Sequence, residues 1–74
     1  MRAFTDALGR GWEVVAGRES WGAIVALFIP IDTDEPVRQV PLRASGYEDG
    51  NAELDSHDLE GLRELLARST PKEL

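Results

Sequence analysis

Cysteine is absent from this chain. No disulfide can brace the fold, and no thiolate can hold a metal. Histidine occurs once, as His57, which leaves no second imidazole for a zinc site. Lysine is nearly absent too, since seven of the eight basic residues are arginine. No apolar run approaches the ~20 residues that cross a bilayer as a helix. The opening Met1-Arg2-Ala3-Phe4-Thr5-Asp6 carries an early acid and no apolar stretch before Gly9, unlike a secretory leader. These absences lead to the expectation of a soluble, cytoplasmic protein. Internal repeats and low-complexity segments are missing as well. At 74 residues the chain is one small domain, 1–74. A domain of about 60 residues buries only ~60% of the surface its unfolded chain exposes. Without disulfides or a metal, oligomerisation or partner binding is the remaining means of support.

Charge is plentiful and uneven. Residues 1–31 hold Arg2, Arg10 and Arg18 against Asp6, Glu13 and Glu19, whereas residues 32–74 carry the entire net charge of −6. Such a field favours solubility and repels polyanions. It disfavours non-specific nucleic-acid binding, which depends on neutralising phosphates.

Against this polar background, Ala23-Ile24-Val25-Ala26-Leu27-Phe28-Ile29-Pro30-Ile31 contains no polar side chain. A strand sends alternate side chains to opposite faces, so this one is apolar on both and reads as a central strand. Pro30 lacks an N–H, so pairing should fail near it. Trp12–Gly17 reads as a preceding strand, with Trp12, Val14 and Ala16 on one face and Trp12 in the core. Residues 18–22 form the hairpin loop, with Gly22 free to take positive φ. Asp32–Pro36 is a polar connector. Residues 37–44 form a third strand, which Pro41 places at an edge or a bulge. Residues 45–51 form a loop, and a short fourth strand at Ala52–Leu54 is weakly signalled.

The strongest local signal is a C-terminal helix over 56–69. Asp55 serves as N-cap, Leu54 and Leu59 as a hydrophobic staple, and Leu59, Leu62, Leu65 and Leu66 as one apolar stripe. Arg68 sits in the last turn, and Pro71 stops continuation into a tail, 70–74. Residues 1–11 form either a frayed end or a lid, with Phe4 and Leu8 on one face of a helical turn. The expected fold is therefore α+β: an antiparallel meander of three or four strands with one C-terminal helix on one face. A single amphipathic helix cannot cover both faces of so apolar a sheet. The second face needs the N-terminal residues or another protein.

No catalytic constellation is visible. His57 falls in the first turn of the expected helix, and Ser56-His57-Asp58 cannot form a relay because neighbours on one turn diverge. Asp32, Asp34 and Glu35 cluster in one loop, and Glu48, Asp49, Glu53 and Asp55 near another, without the fixed spacing of a calcium loop. Gly9-Arg10-Gly11 lacks the preceding strand and following lysine of a phosphate loop. The reading is of a non-enzyme with no cofactor, no metal and no evident small-molecule substrate.

The favoured function is a small protein–protein interaction module, an acidic inhibitor or regulator of a partner with a basic surface, with a homodimer as one form of association. Its partner-binding candidates are Arg18, Trp21 and Tyr47 as contact residues, and Asp32, Asp34, Glu35, Glu48 and Asp49 as an acidic patch. The alternative is a sheet that binds single-stranded nucleic acid, with Trp12, Trp21 and Tyr47 as stacking platforms among Arg10, Arg18, Arg38 and Arg43.

Overall fold

Strand alternation divides this molecule into a covered side and a bare side. In the computed structural model, which describes residues 2–72, β1 spans Arg2–Thr5, β2 Gly11–Arg18, β3 Ile24–Ile31, β4 Arg38–Pro41 and β5 Thr70–Pro71. Two helices, α1 (Tyr47–Ser56) and α2 (Leu59–Arg68), lie between β4 and β5. The fold is α+β, with five antiparallel strands in the order β1-β2-β3-β4-β5. β3 is the central strand, as its two-sided apolar pattern implies. Trp12, Val14, Ala16, Ile24, Ala26, Phe28 and Val40 share one face and form the core with Leu54, Leu62, Leu65 and Leu66 from the helices.

The N-terminal segment is neither a frayed end nor a lid. Arg2–Thr5 pairs with β2, register Phe4↔Trp12, and extends the sheet instead of crossing it. Phe4 packs edge-on against Phe28 on the helix side, centroids 6.0 Å apart at 74°. The cause is a hairpin turn. Asp6 N–H donates to Arg10 O, Gly9 N–H donates to Asp6 O, and Gly9 takes φ +84°. The β2–β3 turn repeats the device: Glu19 N–H donates to Ala23 O, Gly22 N–H to Glu19 O, and Gly22 has φ +99°. Both are three-residue loops closed by a left-handed glycine. Each leaves a large apolar residue at its tip, Leu8 or Trp21, each 78% exposed.

Pairing does not fail at Pro30 on the β2 side, where it stands opposite Trp12, and Pro41 stands opposite Val25; each proline lacks a strand partner on its other side. β4 pairs with β3 only as far as Phe28↔Arg38, so Pro30 lies beyond it. Pro41 ends β4, past the two residues that pair with β5.

The C-terminal half departs most from expectation. Residues 47–56 are helical, so neither the loop over 45–51 nor a strand at Ala52–Leu54 is present. The single helix over 56–69 is two helices. His57 takes extended backbone at the end of α1, and Asp58, not Asp55, caps α2 by accepting from Gly61 N–H at 2.8 Å. Leu59 is consequently 41% exposed and makes no staple, while Leu62, Leu65 and Leu66 are buried. Arg2 Nη1 closes the C-terminus of α1, donating to the carbonyls of Leu54 at 3.3 Å and His57 at 2.6 Å, where the helix dipole favours a cation. The tail also differs. Ser69 leads into β5, and Thr70 and Pro71 pair with Gln39 and Arg38. Residues 73 and 74 of that tail lie outside the described residues.

Gly50 explains why α1 is hard to recognise. It sits mid-helix where glycine weakens the pattern, but a Cβ there would lie 2.9 Å from Ile24 Cγ2 and 3.0 Å from Ala16 Cβ. The glycine lets the helix backbone lie directly on the sheet. Gly50→Ala is therefore expected to lower stability by about 1–2 kcal/mol, overpacking outweighing the better helix propensity of alanine. Urea unfolding at pH 7 checks this. A higher midpoint for the variant would show that α1 can lift away without loss.

Candidate functional site

Because both helices pack on the Trp12–Phe28 side, the other face of the sheet has no helix above it. Alternation places Ala3 and Thr5 there from β1, Glu13, Val15 and Gly17 from β2, Val25, Leu27, Ile29 and Ile31 from β3, and Gln39 and Pro41 from β4. Leu27 is its centre, with Val15 opposite on one side and Gln39 on the other. It folds over Gly17, where a Cβ would collide with Leu27 Cδ1. Val15, Leu27, Ile29 and Ile31 are half-buried, shielded by one another and not by a second layer.

One end of this face is partly closed. Lys72 Nζ reaches Glu19 Oε1 and Gln39 Oε1, each at 3.3 Å. Beside that bridge, Trp21, Val25, Pro41 and Thr70 line a groove of about 210 Å³. Val25 is only 4% exposed at its floor, whereas Trp21 stands free at its lip.

The sequence-derived contact residues separate into two groups. Arg18, Trp21, Tyr47, Glu48 and Asp49 lie at the β2–β3 hairpin end, with the Arg18 guanidinium 5.1 Å above the Tyr47 ring. Asp32, Asp34 and Glu35 follow β3 at the opposite end, where Ile31 pairs with Gly11. Eight residues of β2 separate the ends, a span of about 23 Å at ~3.3 Å per residue. The acids therefore do not form one patch: Asp32 and Asp34 lie at one end of the sheet, and Glu48 and Asp49 lie at the other on α1, which packs on the side away from the bare face. Glu35 is committed to Arg10, Oε1 to Nη1 at 2.9 Å. Asp32 holds the left-handed conformation, φ 60°, at the exit from β3.

Trp12 is buried at 1% exposure, as its alignment with Val14 and Ala16 implies. Its indole Nε1–H donates to Asp6 Oδ2 at 3.0 Å. Asp6 is the polar residue that sequence reasoning overlooked. Its carboxylate also accepts from Leu8 N–H and Arg10 N–H, both at 2.9 Å, and from Arg10 Nε at 2.8 Å. Burial alone would raise its pKa. The hydrogen bonds from Trp12, from the Arg10 backbone and side chain and from Leu8 outweigh burial and bring it down to about 2. A signal was present, since Asp6-Ala7-Leu8-Gly9 carries Asp at the first and Gly at the fourth position of a tight turn.

His57 joins the two helices instead of opening one, and its ring lies against Gly61. Among the described residues, no group of three or more His, Asp or Glu side chains is disposed to hold a metal ion. No helix among them is long and apolar enough to cross a membrane. No protein-family model, curated protein or solved structure matches this chain.

Proposed function

We propose that this protein is a non-catalytic interaction module whose bare sheet face docks on a partner protein that is apolar at its centre and basic at its rim. The observation behind this reading is the helix-free face centred on Leu27, with Asp32 and Asp34 following β3 at one end and Trp21 at the other. Only β2 and β3 run the full length of about 23 Å, β1 and β4 being four residues long and β5 two, so at ~3.3 Å per residue and ~4.8 Å between strands the face covers roughly 400 Å². A standard interface takes ~800 Å² from each partner, so the contact must extend past the strands onto the loops at either end, Asp32 and Asp34 among them. That requirement, together with the net charge of −6, favours a basic partner over a second copy of the chain, which would set like charges together.

Two measurements test the reading. Sedimentation velocity at rising concentration is expected to show a monomer; a dimer would replace the partner with a second copy. Leu27→Asp is expected to leave the fold intact, at a cost of about 1–2 kcal/mol for a half-exposed site. It should abolish association with the proteins captured by the wild-type chain, and that association should weaken with salt. Capture that is indifferent to both Leu27→Asp and salt would refute the proposal. Single-stranded nucleic acid finds less support, because Phe4, Trp12 and Phe28 all face the helices, and among the described residues Trp21 at one end is the lone ring beside the bare face.

A further inference from the structure

On the helix side, at the β1–β2 turn, a cleft of about 380 Å³ is lined by Arg10, Arg38 and Arg63. Three of the chain's seven arginines thus converge in a protein of net charge −6. Each guanidinium is held by the fold. Arg10 donates from Nε to Asp6 and from Nη1 to Glu35. Arg38 donates from Nε to Ser69 Oγ at 2.8 Å and from Nη2 to Ser69 O. Arg63 donates from Nε to Thr5 O at 2.9 Å and from Nη1 to Glu60 at 3.3 Å.

One terminal nitrogen of each guanidinium, Nη2 of Arg10, Nη1 of Arg38 and Nη2 of Arg63, has no protein acceptor among the described residues. Of the lining carboxylates, Asp6 is saturated by its own donors and Glu35 is paired with Arg10. The cleft lining sets three guanidiniums against two carboxylates, a third carboxylate, Glu60 on Arg63, lying outside the lining, and Leu66 and Ala67 form an apolar wall. Guanidinium groups already ordered by other bonds lose little entropy on gripping an anion, and their geometry suits phosphate and carboxylate oxygens.

We propose that this cleft binds a small molecule bearing a phosphate or carboxylate group, gripped by Arg10, Arg38 and Arg63. Its volume lies at the lower end of small-ligand sites, and the acidic remainder of the protein excludes polyanionic chains. The cleft is lined from α2, the β1–β2 turn, the β3–β4 connector and the helix-side residues Trp12 and Arg38, and uses none of the bare sheet face, so the two proposals stand or fall separately.

The two tryptophans provide an internal control. In 15N-labelled full-length protein the Trp12 indole N–H, bonded to Asp6 beside the cleft, should shift saturably with inorganic phosphate or with citrate at constant ionic strength. The Trp21 indole should stay fixed. Which anion saturates first assigns the phosphate or the carboxylate class. Arg63→Gln is expected to weaken binding about tenfold, the loss of one charge-assisted contact. Glu35→Gln, which removes a competing carboxylate, is expected to strengthen it several-fold; a residue of merely structural importance would not produce that gain. A Trp12 resonance that follows neither anion, or equal affinity in both variants and the wild type, overturns the proposal.

Discussion

Replacing Phe28 with alanine is expected to remove about 3–5 kcal/mol of stability. Phe28 is wholly buried in the central strand, and its ring receives Phe4 edge-on from β1. β1 is not adjacent to β3, so this pair ties the N-terminal strand to the middle of the core. A chain of 74 residues should have about 4–11 kcal/mol in total at ~0.05–0.15 kcal/mol per residue. The substitution should therefore leave a population largely or marginally unfolded at 37 °C. Circular dichroism melting and urea titration read the effect directly. A melting temperature within a few degrees of wild type would show that the core can collapse into the space left by the ring.

Asp6→Asn is expected to cost about 2–3 kcal/mol at pH 7, although the side chain keeps its size. Four donors converge on the Asp6 carboxylate. An asparagine presents one oxygen and one NH₂ group, so its nitrogen would face two donors, either the Trp12 indole and Arg10 Nε, which share Oδ2, or the Leu8 and Arg10 backbone N–H groups, which share Oδ1. The pH dependence separates this from a loss of packing. The Asp6 pKa is about 2 in the folded protein and ~3.9 in an unfolded chain. A pKa lowered by folding adds stability that is complete above the unfolded value and is lost as pH falls toward the folded one. Wild-type stability should thus decline between pH 4 and pH 2 by about 1–2 kcal/mol on account of Asp6. The Asn variant should lack this component, so the two proteins should converge as pH falls. Parallel urea midpoints at pH 7 and pH 2.5 would contradict the assigned role.

The parts of the fold legible in the sequence are those that obey local periodicity. Period two in Trp12–Gly17 and the unbroken apolar run through Ile31 identified the central hairpin, and Gly22 marked its turn. The 3–4 spacing of Leu62, Leu65 and Leu66 identified α2. The errors arose where one residue serves two purposes. Phe4 and Leu8 stand at helical spacing, but Asp6 and Gly9 close a turn between them and send one to the core and the other to solvent. Gly50 resembles a loop glycine but permits close packing of a helix on Ile24 and Ala16. Asp55 and Asp58 are both competent caps, and the choice fell to Asp58 once Leu54 was buried in α1. The acidic candidates were visible as residue types but not as a surface, since Glu48 and Asp32 follow opposite ends of the sheet.

From its residues alone, then, the chain determined its class, its central hairpin and the burial of Trp12, Leu62, Leu65 and Leu66, because period-two and period-3.6 patterns act over a few neighbouring positions. Tertiary structure decided which face the helices cover. It also placed β1 and β5 beside β2 and β4, distributed the acids to the two ends and gathered Arg10, Arg38 and Arg63 around one cleft. Those outcomes depend on pairing and packing between segments tens of residues apart, where no local spacing carries the information.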